Sequence, residues 1–169
     1  MQRRDCNTKG LDLIKFSEGF YSKVYKCPAG VWTIGIGTTY YPNDERAPAG
    51  LQGKRVGPFD PPCTLEQAYS WLNYELDQKE DEVNNWLVKN NVQLNDNQFS
   101  ALVSFAYNLG SGPITAGDST LSLALKSGKR ERIESAFKLY VKAKNKWGFK
   151  VTLPGLVKRR ENELKLFFS

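Results

Sequence analysis

The 169-residue chain contains no histidine, three cysteines and one methionine. Without histidine there is no imidazole base for a Ser-His-Asp or Cys-His arrangement and no imidazole metal site. Any chemistry must come from carboxyl, thiol, hydroxyl, phenol or amine groups. Cys6, Cys27 and Cys63 are too few and too scattered for a disulfide framework or a zinc site, so neither a metal nor a cofactor is expected. No stretch approaches the ~20 apolar residues of a membrane span. The opening residues, Met1-Gln2-Arg3-Arg4-Asp5-Cys6-Asn7, lack the apolar core of a secretory signal. There is no internal repeat and no low-complexity tract.

What is present is a globular composition: 40% hydrophobic, 25% charged and 12% aromatic residues, which excludes a disordered or fibrous chain. The length predicts one domain over 1–169, large enough to bury about 70% of its unfolded surface, with a monomer as the default. The net charge of +6 is lopsided. Residues 126–169 hold 13 Lys or Arg against 4 Glu, whereas residues 1–125 hold 11 against 14 acidic residues. A basic C-terminal third calls for an anionic partner, a wall polymer or outer-membrane surface, unless it is only a solvated helical surface. Nucleic acid is not expected. The cations Lys126, Lys129, Arg130, Arg132, Lys138, Lys142, Lys144 and Lys146 lack interleaved aromatics.

The spacing predicts a short helix over Thr8–Glu18, with Leu11 and Ile14 on its apolar stripe and Gly19 as its stop. Two β-rich runs, Tyr21–Lys26 and Val31–Ile36, flank the turn composition Cys27-Pro28-Ala29-Gly30 and read as a hairpin. Gly35 and Gly37 weaken its second strand or admit a close neighbour. Residues 42–62 hold five of the eight prolines, a long insertion with room for a third short strand near Lys54–Val56.

From Thr64, whose pairing with Gln67 fits a capping box, about 25 residues read as a helix long enough to join two lobes. Asn95 with Gln98 opens another helix, closed by Gly110-Ser111-Gly112-Pro113. Further helices are expected near Thr120–Lys126, near Glu131–Lys142 and from Pro154 to about Phe168, with Trp147-Gly148-Phe149 as a loop. The expected fold is α+β: a small N-terminal hairpin lobe at about 19–63 and a larger helical lobe over 64–169.

Glu18 draws attention first. It shares the apolar face of its helix and sits at the C-terminal end, where the macrodipole opposes negative charge. Both features favour a protonated carboxyl, the requirement for a general acid. The alternative is a half-buried Glu paired with an Arg from the basic third. Eight residues on comes Cys27, and after that Thr33, entering Ile34-Gly35-Ile36-Gly37.

In these residues the sequence resembles the phage-type lysozymes, or endolysins, of glycoside hydrolase family 24, whose pattern is Glu, then Asp or sometimes Cys, then Thr before such a strand. The likeness extends through Asn97–Gly110, similar to the family's buried helix, through Ser119-Thr120-Leu121, and through Leu153-Pro154-Gly155-Leu156-Val157-Lys158-Arg159-Arg160-Glu161. It covers residues 8–168 apart from 42–62.

The resemblance implies a lysozyme-like α+β fold and cleavage of the β-1,4 bond between N-acetylmuramic acid and N-acetylglucosamine in peptidoglycan. Glu18 would be the acid, and Cys27 and Thr33 would orient the attacking water. Glycosidases usually pair two carboxyl groups. Cys27 therefore stands as a working base, as half of a disulfide lock with Cys6 or Cys63, or as the mark of a module that binds glycan without cutting it. Thr38 stands where many members carry histidine, and Arg159 or Arg160 would pair with the acid. For sugar contacts, Asn108 is either a ligand to an acetamido group or a helix-end cap, and Trp147 either stacks at the cleft or closes the core. Tyr25 and Trp32 read as packing residues. The resemblance further implies synthesis in a host cytoplasm and action at the cell wall or periplasm.

Overall fold

The computed structural model describes residues 3–27, 29–144 and 147–169. Pro28 of the expected turn and Lys146 of the basic set lie outside them. The elements in chain order are α1 (Thr8–Glu18), β1 (Tyr21–Lys26), β2 (Trp32–Gly35), α2 (Leu65–Asn90), α3 (Asp96–Leu109), α4 (Gly112–Thr115), α5 (Thr120–Ser127), α6 (Arg130–Lys138), β3 (Lys142–Lys144), β4 (Lys150–Thr152) and α7 (Pro154–Phe167). This is the expected α+β arrangement, with a two-stranded hairpin, a long α2 and a predominantly helical remainder. The chain forms two compact units, residues 15–76 and residues 1–14 with 77–169. Both α1 and α2 run without a break from one unit into the other. No helix among the described residues is long and apolar enough to cross a membrane.

In the smaller unit β1 and β2 pair antiparallel, with Tyr25 opposite Thr33, Lys26 opposite Trp32, and an irregularity between Tyr21 and Tyr25. The strands close on α2. A Cβ added to Gly35 would stand 3.1 Å from the Ala68 Cβ, and Gly35 has a φ of +67°, so only glycine fits that crossing. The insertion is not loose. Tyr40 bridges Arg55 antiparallel, and Tyr41 N donates to Lys54 O while Val56 N donates to Thr39 O, both at 3.0 Å. Residues 39–41 and 54–56 thus form a short ladder, the third strand expected near Lys54. Its inner side buries Tyr41 and Val56, with Tyr41 edge-on to Trp71 at 5.1 Å. Trp71 Nε1 donates to Arg46 O at 2.6 Å, fastening the loop to α2.

The larger unit is organised around α3, every residue of which from Phe99 to Tyr107 is buried. Its start is fixed by a reciprocal capping box between Asn95 and Gln98, and α2 begins the same way with Thr64 and Gln67. Helix α7 packs along α3. Two expectations fail here. Helix α6 ends at Lys138 rather than Lys142, because residues 142–144 are taken into an antiparallel pair with 150–152. That second hairpin gave no sequence signal. Its strands are three residues long and lysine-rich, with no apolar alternation.

Candidate active site

Glu18 occupies the last position of α1. Lys15, one turn back, holds this end on α2 with its Nζ 4.7 Å from the centre of the Tyr69 ring. Beyond β2 the chain returns through Gly37, and the Glu18 carboxyl lies directly on it. A Cβ at Gly37 would stand 3.0 Å from Glu18 Oε2 and 3.1 Å from its Cδ, and Gly37 has a φ of +81°. Gly37→Ala therefore both strains the backbone by about 1–2 kcal/mol and pushes the carboxyl away. A displacement near 1 Å costs a catalytic group on the order of 10²-fold. We expect that loss in kcat for glycan cleavage, with a melting temperature lowered by only a few degrees.

Cys27 and Thr33 meet at one carbonyl. Val31 O accepts the Cys27 amide at 2.9 Å and the Thr33 hydroxyl at 3.1 Å. Thr33 is buried and Cys27 half-buried. Tyr25, across the hairpin from Thr33, stacks on Tyr21 at 4.2 Å. Burial, then the neighbouring Glu18, Tyr21 and Cys27, push the Tyr25 phenol up to about 12. It therefore stays protonated and uncharged beside both Glu18 and Cys27. Sequence reasoning took Tyr25 for a packing residue and missed this place; the two-residue alternation that aligns it with Thr33 was the available signal.

All three cysteines are free thiols. Burial pushes Cys6 up to about 12 and raises Cys63 as well, which makes both poor nucleophiles. Thr38, in place of the family's histidine, is buried with its Oγ1 lacking a hydrogen-bond partner.

The other site candidates lie in the larger unit. Asn108, in the last turn of α3, does not cap the helix. Its Oδ1 accepts from Arg160 Nη2 at 3.0 Å. Since a guanidinium only donates, the Asn108 NH₂ is left for another acceptor. Arg159 and Arg160 both pair with Glu163. Arg159 Nε is 3.2 Å from Oε1, Arg160 Nη2 is 2.9 Å from Oε1, and Arg160 Nε is 2.7 Å from Oε2. Ser104 Oγ donates to the same Oε1 at 2.9 Å. The sequence reading named the arginines and missed Glu163, although a carboxyl three and four residues on is the ordinary partner spacing on a helix. Trp147 is 70% exposed, so the core reading of that residue is wrong.

A two-unit α+β fold with a carboxyl at the end of the first helix, facing a hairpin, defines a lysozyme-type glycosidase. The phage lysozyme family model matches residues 15–163, and the chain belongs to that family. It is 35% identical over 161 residues to the endolysin of Acyrthosiphon pisum secondary endosymbiont phage 1, covering 95% of this chain and 96% of that protein. Among solved structures it is similar to the endolysin from Escherichia coli O157:H7 phage FAHEc1, at 32% identity and a TM-score of 0.80, covering 100% of this chain and 94% of that one. It is also similar to the muramidase domain of SpmX from Asticaccaulis excentricus, at 29% identity and a TM-score of 0.72, covering 99% of both. The protein is a glycoside hydrolase, a muramidase with peptidoglycan as its substrate.

Proposed function

We propose that 1–169 acts as a single lysozyme-like domain that lyses bacterial cell walls. It hydrolyses the β-1,4 bond between N-acetylmuramic acid and N-acetylglucosamine after synthesis in a host cytoplasm. The observation that carries this reading is the seating of the Glu18 carboxyl on Gly37, on the same unit as the Cys27–Val31–Thr33 junction. Glu18 gives its proton to the leaving glycosidic oxygen. The Thr33 hydroxyl, its own proton committed to Val31 O, accepts a hydrogen bond from the attacking water and turns a water lone pair toward the anomeric carbon. Cys27, in place of the second carboxylate, takes the water's proton when ionised. Tyr25 stays neutral and adds no charge to that balance. Asn108 NH₂ is assigned to an acetamido carbonyl and Trp147 to a sugar face. The basic residues after 126 serve to hold anionic wall or outer-membrane polymers.

The reading is tested by new reducing ends released from purified peptidoglycan, identified after borohydride reduction. Wild type is expected to expose muramic acid ends. Cys27→Asp is expected to keep or exceed that rate, and Cys27→Ser to lose about 10²-fold, the lower end of a general base's contribution. Glucosamine ends would overturn the bond assignment. No ends from wild type, with activity created by Cys27→Asp, would favour the second reading, a glycan-binding module that has exchanged its carboxylate for a thiol.

A further inference from the structure

The proline-rich insertion carries a surface that the hydrolytic mechanism does not use. While Tyr41 and Val56 point inward, their neighbours Tyr40 and Arg55 form the exposed outer side of the ladder. The Arg55 guanidinium lies over the Tyr40 ring at 5.1 Å, and its Nε donates to the Tyr40 hydroxyl. Next along the chain, Asp60 clamps a tight turn. Its Oδ2 accepts the Gly57 amide at 2.7 Å and the Tyr41 hydroxyl at 3.0 Å. At the crest of that turn Phe59 is 97% exposed. A large apolar side chain displayed to this degree on a turn tied by three side-chain and backbone groups is a contact residue waiting for a partner. Lys54 and Arg55, both exposed, have no carboxylate partner among the described residues.

We propose that Tyr40, Lys54, Arg55 and Phe59 bind the stem peptide attached to the muramic acid of the substrate strand. The inference rests on the muramidase reading and deepens it. The chemistry fits. Stem peptides present free carboxylates, which a stacked guanidinium and an adjacent ammonium receive, and small apolar side chains, which an exposed Phe covers. The reach also fits. Tyr40 follows by three residues the Gly37 on which the Glu18 carboxyl rests, a separation of at most about 11 Å along extended chain. A peptide on a sugar next to the scissile bond lies within that distance.

The experiment compares kcat/KM on glycan strands carrying their stem peptides with kcat/KM on strands stripped by an amidase. Wild type is expected to prefer peptide-bearing strands. Phe59→Ala and Arg55→Gln, both exposed and neutral to the fold, are each expected to lower that preference about tenfold through KM, the worth of one charge-assisted or buried apolar contact. Val88→Ala, an exposed apolar position on α2, keeps the wild-type ratio. Equal cleavage of both strands by wild type, or a preference that survives Phe59→Ala with Arg55→Gln, would overturn the proposal. Cleavage of neither strand would instead overturn the muramidase reading, and the surface is then judged by binding alone. An acidic stem tetrapeptide titrated into the intact protein should shift the backbone amides of Tyr40, Arg55 and Phe59 saturably, and not in Arg55→Gln. Absence of those shifts in wild type overturns it.

Discussion

Replacing Glu18 by glutamine is expected to lower kcat for peptidoglycan by about 10²–10⁴, the range contributed by a positioned general acid, while the melting temperature stays within a degree or two. The two halves of that expectation have separate causes. The glutamine has the same length and volume, so the contact with Gly37 and the end of α1 persist. What it lacks is an acidic proton for the leaving oxygen. KM should change little, since ground-state sugar contacts are untouched. Glu18→Asp offers the converse: it restores an acid but draws it back by one methylene, and is expected to recover only part of the rate. A Glu18→Gln protein with more than a tenth of wild-type kcat would show that the carboxyl is not the proton donor.

The parts of this fold that were legible in advance are those marked by local chemistry. Helix α1 was read at Thr8–Glu18 and the first strand at Tyr21–Lys26, as they stand in the structure, because a periodic stripe, a glycine stop and β-branched or aromatic runs all agreed there. Helices α2 and α3 announced themselves through Thr64–Gln67 and Asn95–Gln98. The illegible parts depend on tertiary pairing. The three-residue strands around 142–144 and 150–152 have no period of their own, and α6 was extended through them. The insertion's ladder needed Trp71 and Asp60 to hold it. At the site, the order Glu18–Cys27–Thr33 was visible as spacing. The carbonyl of Val31 that receives both later residues, and the neutral Tyr25 beside them, required the hairpin register. Trp147 was misjudged because a Trp is more often core than surface; on a short lysine-flanked hairpin there was no core for it to enter.

Removing the charge of Glu163 is expected to destabilise the larger unit by about 3–5 kcal/mol, the usual result of breaking a buried ion pair on one side. For a chain of this length that is a fall in melting temperature on the order of 10 °C. Glu163 has no exposed surface, and Arg160 is nearly as deep, its guanidinium over the Phe105 ring at 4.6 Å. Burial raises the Glu163 carboxyl and lowers Arg160, and the attraction between them opposes both shifts. With Glu163→Gln, two buried guanidinium groups lose the carboxylate they share, whereas Ser104 and the Asn108 oxygen remain as weaker acceptors. Glu163→Leu combined with Arg160→Leu takes both charges away and should recover a large part of the loss, because a buried pair contributes little beyond its apolar replacement. Kinetics then separate the second role of the cluster. Arg160 orients Asn108 by occupying its oxygen, so the double variant, though refolded in stability, is expected to show a raised KM for glycan with kcat nearly unchanged. A double variant with wild-type KM would confine the arginine–glutamate cluster to holding α7 on α3 and remove Asn108 from the list of sugar contacts.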